Sequence, residues 1–183
     1  RTGPMWACDH AGVTPDLLCT GKAFASLLPM AATLATERVY DAFRGGKDKT
    51  LWYGHTFCGH PLGAAVAREV LAIYRDERVL EQVAAKAPRI AAAFDALARH
   101  PGVERVRCLG MIGAADLRGG VQGDQGYLGD LGWKVYAEAL ERGAYLRPLG
   151  DTVYVCPPLV IGDADLDALL GILGESVRAA LPA

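Results

Sequence analysis

At Pro61 the chain changes character, and that change limits what it can fold into. Before it, apolar residues come in short runs, Leu17 to Cys19 and Leu27 to Ala35, cut by Gly, Pro and Thr. Such runs suit short strands and turns of a sheet. After it, Val66, Val70, Leu71 and Tyr74 follow helical spacing, and Pro61 suits the first turn of that helix. A second helix is predicted from Val79 to about Ala98, with Val83, Ile90, Phe94 and Leu97 on one face and a kink at Pro88. His100-Pro101-Gly102 ends it, and Val103 to Leu117 reads as two short strands broken at Gly110. A Gly-rich loop at 119 to 126 leads to a helix from about Leu128 to Arg142, stopped by Gly143. Two further strands, Tyr145 to Arg147 and Val153 to Cys156, flank the turn Pro148-Leu149-Gly150-Asp151, and Asp163 caps a last helix. Strands and helices thus interleave as an α+β unit of roughly 100 to 120 residues, a usual domain size. Residues 1–60 read as the tail of another, larger domain, with Arg1-Thr2-Gly3-Pro4 as a cut edge.

Composition narrows the function classes. With 183 residues, 51% hydrophobic and 22% charged, the chain is ordinary for a globular protein. A net charge of -2 gives no electrostatic footprint for nucleic acid or an anionic membrane. No run approaches the roughly 18 consecutive apolar residues of a membrane span, and no signal-peptide pattern opens the chain. Five cysteines, Cys8, Cys19, Cys58, Cys108 and Cys156, lie far apart without a C-x-x-C pair. Their number and spacing argue against a disulfide framework or a zinc site, and for a reducing, cytoplasmic setting.

Three places carry chemistry. Lys22 follows an apolar run and a glycine in Leu17-Leu18-Cys19-Thr20-Gly21-Lys22. An amine at a dry strand end either finds a carboxylate or loses its proton and becomes a nucleophile toward a carbonyl compound; on this hexapeptide alone, a simply solvated lysine is the plainer reading. Tyr53-Gly54-His55-Thr56-Phe57 precedes the helix at Pro61, so backbone N–H groups, a hydroxyl and a positive helix end gather where an anion can sit; a polar helix cap is the plainer alternative. Arg147 lies in an apolar frame, Tyr145-Leu146 and Pro148-Leu149, where its guanidinium needs a carboxylate, internal or on a ligand. Tyr154 reads as a core aromatic. His55 and His60 are five apart with no third ligand in register, which supports no metal site, and Cys8-Asp9-His10 is given no catalytic role.

In order along the chain, Arg1-Thr2-Gly3, Pro15-Asp16 to Gly21-Lys22, Gly54-His55-Thr56-Phe57 and Arg147-Pro148-Leu149-Gly150 resemble the C-terminal portion of class III pyridoxal-phosphate aminotransferases. The likeness extends over essentially the whole chain. Cys8-Asp9-His10, Tyr53 to Pro61, and Leu146 to Asp151 followed by Tyr154 and Pro157-Pro158 are most similar to the branch that aminates 8-amino-7-oxononanoate in biotin synthesis. The resemblance implies a fold-type I transferase, α/β and α+β: residues 1–60 end the large cofactor-binding domain, and 61–183 form a linking helix and the small C-terminal domain. It implies that Lys22 holds pyridoxal 5'-phosphate and moves a proton between substrate and cofactor. Gly54, His55 and Thr56 would serve the cofactor phosphate of the neighbouring subunit in a homodimer that shares its active sites. Arg147 would clamp the substrate carboxylate, Tyr154 would line that pocket, and the amino donor would be S-adenosylmethionine or lysine.

Two departures from the family pattern stand out. Lys22 is followed by Ala23-Phe24-Ala25-Ser26-Leu27-Leu28-Pro29, one residue shorter than the family's loop and without its Gly-Gly pair. The family's aspartate for the pyridine nitrogen, its ring-stacking aromatic and its Gly-Ser phosphate loop lie upstream of R-T-G and are not in this chain, so the chain alone is expected to be inactive and to expose an apolar seam. The alternatives are another class III enzyme, acting on ornithine, 4-aminobutyrate or ω-amino acids, or a non-catalytic remnant of the fold.

Overall fold

The structure is a computed structural model describing residues 1–25, 27–118 and 126–181. Most of the expected Gly-rich loop, 119–125, lies outside the described residues. The chain forms two compact units: Trp6–Val79, and Leu80 onward together with Arg1–Met5. The sequence reading placed the join at residue 60. By contact it falls at Val79, because the helix that begins at Pro61 packs with the residues before it. There, Gly63 lets that helix approach Met30, whose sulfur would stand 2.8 Å from any added Cβ.

In the Trp6–Val79 unit, β1 (Leu17–Thr20) pairs antiparallel with β2 (Ala32–Ala35), Leu17 opposite Ala35 and Thr20 opposite Ala32. A short helix α1 (Glu37–Asp41) follows, tied back to the entry of β1 by Arg38 to Asp16 at 2.6 Å. Helix α2 (Pro61–Asp76) starts with Pro61 at its first position, where a missing N–H costs nothing, and His60 Nδ1 accepts the Gly63 N–H at 3.1 Å. This unit buries little: Ala25, Ala67 and Val79 are its buried apolar side chains, while Trp52 and Tyr53 are each 79% exposed.

The second unit has a full core. Helix α3 (Val79–Leu97) turns Val83, Ile90, Phe94 and Leu97 inward, as its spacing predicts, with Pro88 inside the helix. β3 (Val103–Leu109) and β4 (Ile112–Leu117) form the expected hairpin, turning at Gly110 with φ 59°, the left-handed conformation glycine tolerates. β5 (Thr152–Val155) pairs antiparallel with β4, giving the order β3-β4-β5. Helices α4 (Leu131–Glu141) and α5 (Asp163–Ala180) complete a cluster in which Val135, Val153, Val155, Leu166, Leu173 and Val177 join the residues of α3. Arg1–Met5 docks here: the Arg1 carbonyl accepts the Met111 N–H at 2.7 Å.

Three local expectations need correction. Tyr145 to Arg147 alternates in burial like a strand but forms none; Pro148 lacks an N–H, and pairing begins only at the bridge of Leu149 with Thr152. Helix α4 starts at Leu131 rather than Leu128, because Gly126–Leu128 forms a separate 3₁₀ turn. Asp163 does not cap α5; Gly162 holds that position, while Asp163 pairs with Arg89 at 2.6 Å. No helix among the described residues is long and apolar enough to cross a membrane.

On the outer face of the sheet, Asp116 accepts the Thr152 hydroxyl at 2.7 Å and pairs with Arg105 at 2.8 Å and Arg107 at 3.1 Å. Burial pushes this carboxyl up, but the hydroxyl and the two guanidiniums outweigh it, and the net position lies below the ordinary aspartate value. A group depressed in the folded state stabilises above its unfolded pKa and loses that contribution as pH falls through the folded one. The acid melting curve of the native chain is therefore expected to fall more steeply below about pH 4 than that of Asp116→Asn. At neutral pH the substitution is expected to cost about 1–2 kcal/mol in denaturant unfolding. Gly113 sits against the Phe94 ring, and a methyl there would also stand 2.9 Å from Ile90. Gly113→Ala is expected to lower stability by about 1–3 kcal/mol, an unchanged midpoint refuting the tight contact.

Candidate functional site

Lys22 stands one residue past the glycine that follows β1. It opens a 3₁₀ turn, Lys22–Ala25, with φ 53°, a left-handed backbone that side chains rarely adopt. Phe24 N–H to the Gly21 carbonyl at 3.2 Å and Leu28 N–H to the Ala25 carbonyl at 2.8 Å fix the loop, and Ala25 is fully buried beneath it. Lys22–Ala25 is thus a compact turn. Lys22 itself is exposed, not held at a dry strand end, because this unit has little to cover it. No ion pair engages it among the described residues. The positive φ is a strain that places the amine at a bend.

Gly54, His55 and Thr56 lie on an exposed connector ahead of α2. His55 organises it: its Nδ1 accepts the Phe57 N–H at 3.2 Å, its carbonyl accepts the Cys58 N–H at 3.0 Å, and its N–H reaches the Cys58 sulfur at 3.4 Å. The turn leaves Thr56 exposed at its tip. The helix end is less open to an anion than its sequence suggests, since His60 already occupies the Gly63 N–H. No hydrogen bond joins this connector to Lys22 among the described residues.

Arg147 and Tyr154, seven residues apart, meet on one groove of about 420 Å³, whose walls include Tyr145, Val155, Pro157 and Pro158. Alternation does this. Ala144, Leu146 and Pro148 point inward, so Arg147 points out, and the inward Val153 and Val155 leave Tyr154 half-buried on the outer side. Tyr154 is therefore a groove wall rather than the core aromatic its apolar neighbours suggest. Arg147 is exposed and has no ion pair among the described residues, so the internal carboxylate its apolar frame called for is absent there.

Other contributors escape a reading by motif. The Arg1 guanidinium donates to the Pro157 carbonyl at the groove wall. Lys86, buried on α3, donates to the Leu159 carbonyl at 3.1 Å just beyond it. Asp151 accepts the Leu131 N–H at 3.0 Å from twenty residues away. A buried lysine at a core position of α3 was the one available signal. Asp9, in the Cys8-Asp9-His10 stretch, accepts the Trp6 N–H at 3.2 Å within its own turn. All five cysteines are free, and the described residues contain no group of three His, Cys, Asp or Glu that could hold a metal.

The family model for class III aminotransferases matches residues 1–177. The chain belongs to that family. Among curated relatives, the adenosylmethionine-8-amino-7-oxononanoate aminotransferases of Geobacter sulfurreducens and Synechococcus elongatus are 38% and 37% identical over 97% and 96% of this chain. It spans 40% and 41% of their lengths. Gamma aminobutyrate transaminase 1 of Solanum lycopersicum is 30% identical over 97% of the chain, which covers 36% of that protein. The crystal structure of the Methanocaldococcus jannaschii adenosylmethionine-8-amino-7-oxononanoate aminotransferase superposes with a TM-score of 0.83 at 31% identity, covering 97% of this chain and 43% of that one. A structure described as a transaminase with L-Ala gives 0.85 at 34%, covering 98% and 43%. The fold is that of fold-type I pyridoxal-phosphate-dependent transferases.

The left-handed backbone at Lys22 has a measurable consequence. Lys22→Gly is expected to be more stable than Lys22→Ala by about 1 kcal/mol, since only glycine adopts this conformation without penalty. Equal unfolding midpoints would mean that the bend is relaxed in solution.

Proposed function

We propose that this chain is the cofactor-lysine and small-domain portion of an aminotransferase that converts 8-amino-7-oxononanoate to 7,8-diaminononanoate in biotin synthesis, with S-adenosylmethionine or lysine as amino donor. The observation that carries the reading is the apolar groove in which Arg147, without a carboxylate partner among the described residues, stands beside Tyr154. A nine-carbon keto acid offers such a groove both a carboxylate for the guanidinium and an apolar chain for its walls. The relatives named for this reaction, at 32–38% identity, support it.

The residues present fit pyridoxal 5'-phosphate. Among the described residues no carboxylate pairs with the primary amine of Lys22, which stands at a bend and can attach to an aldehyde. When bound, that cofactor supplies the electron sink that lets a proton leave the carbon bearing the amine. Lys22 would hold the cofactor through Nζ and, once the substrate amine displaces it, would move the proton between substrate and cofactor. Thr56 offers its hydroxyl, with the turn around His55, to the cofactor phosphate across a homodimer interface, Gly54 leaving room for approach. The exposed Trp52 and Tyr53 beside it are suited to cover by a second subunit. Arg147 fixes the far end of the substrate and Tyr154 flanks it. Five free thiols suit a reducing cytoplasm.

A second reading, a class III enzyme acting on 4-aminobutyrate or other ω-amino acids, draws on the tomato relative. The two separate in the holoenzyme. The proposed reading requires turnover of 8-amino-7-oxononanoate with S-adenosylmethionine or lysine, whereas reaction with ω-amino donors alone favours the second. In the same assay, Lys22→Ala is expected to abolish the visible absorbance of bound cofactor. Arg147→Ala is expected to raise KM for the keto acid by about 30-fold, the equivalent of roughly 2 kcal/mol for a charged hydrogen bond. An unaltered KM would remove Arg147 from the carboxylate site.

A further inference from the structure

Arg147 belongs to no strand, yet its backbone is held on both sides, and both holds lead to α4. On the C-terminal side, Leu149 and Thr152 exchange two backbone hydrogen bonds, 2.9 and 3.1 Å, around Gly150-Asp151, with Gly150 at φ 60°. Asp151 then reaches α4 and accepts the Leu131 N–H at 3.0 Å. That contact replaces a local cap, since Asp130, at the N-cap position, makes no side-chain cap bond. Two glycines permit it. A Cβ at Gly129 would collide with the Asp151 carboxylate, and one at Gly132 would collide with the Gly150 carbonyl and stand 2.7 Å from Pro148 Cβ.

On the N-terminal side, Tyr145 shares the outward side with Arg147 and stands edge-on to Tyr136 of α4, ring centroids 5.5 Å apart at 88°. Tyr136 is braced by Trp133 at 5.5 Å and 77°. Such edge-to-face pairs add to burial and favour one placement of an exposed segment.

We infer that α4 is the template that positions Arg147, with Asp151, through the Leu131 amide, and Tyr136, through the Tyr145 ring, as positioning residues for the carboxylate site. The inference rests on Arg147 being that site. Neither Asp151 nor Tyr136 touches the carboxylate. They fix the segment from which the guanidinium projects, so their loss weakens recognition of the carboxylate and leaves the apolar part of the groove intact.

The test uses the full chain and two probes of equal length, nonanoate and nonanamide, with affinities measured by calorimetry and melting temperature followed in parallel. The native chain is expected to prefer nonanoate about tenfold, as a charge-assisted hydrogen bond provides. Arg147→Ala is expected to abolish the preference. Asp151→Ala is expected to reduce it at least threefold without weakening nonanamide, and Asp151→Asn, whose side-chain oxygen still accepts the Leu131 N–H, to restore it. Tyr136→Leu, an apolar replacement at a half-buried position of α4, is expected to reduce it as well, which keeps the test open if Asp151→Ala unfolds. A preference kept in Tyr136→Leu and in folded Asp151→Ala but lost in Arg147→Ala overturns the template alone. A preference absent from the native chain, or kept in Arg147→Ala, overturns the carboxylate site and the template with it.

Discussion

The pleat of β4 and β5 decides which side chains the larger unit keeps for its core and which it offers to a ligand. Gly113 and Ala115 of β4 and Val153 and Val155 of β5 face α3 and the other helices. Asp116, Thr152 and Tyr154 are thereby left on the other face. A shift of one residue would send Tyr154 into the core and turn Val153 and Val155 outward. The register is held by the close approach of Gly113 to Phe94 on one side and by the Asp116–Thr152 hydrogen bond on the other. Core packing and the groove are two faces of one constraint.

The two units differ in how far they satisfy their own apolar surface. From Leu80 onward, helices and sheet bury a continuous cluster. The Trp6–Val79 unit, which carries Lys22 and the connector with Thr56, leaves Leu51, Trp52, Tyr53 and Phe57 in solvent. An apolar stretch of that kind marks a surface made to be covered, which accords with a chain spanning about 40% of the length of the relatives it matches.

Much of the fold was legible because it rests on local rules. Gly110 breaks the hairpin where a positive φ is needed, Pro61 opens a helix, and the period of Val83, Ile90, Phe94 and Leu97 marks the buried face of α3. The candidate site residues came by another route, the order of short motifs along the chain; periodicity alone would have put Tyr154 in the core. What stayed hidden depends on contacts distant in sequence. The apparent strand at Tyr145–Arg147 fails because Pro148 cannot donate, and Asp151 caps a helix that begins twenty residues earlier, which no local pattern announces. The join at Val79 likewise follows from the packing of Gly63 on Met30, which spacing does not record.

The central claim is that one amine among five lysines, Lys22, is the cofactor's attachment point. The most direct measurement is to load the protein with pyridoxal phosphate, reduce it with borohydride and map the modified peptides by mass spectrometry. A single pyridoxyl adduct on the peptide containing Lys22 is the expected result. Modification spread over Lys47, Lys49, Lys86 and Lys134, or missing from Lys22 in a protein that has bound the cofactor, would contradict it.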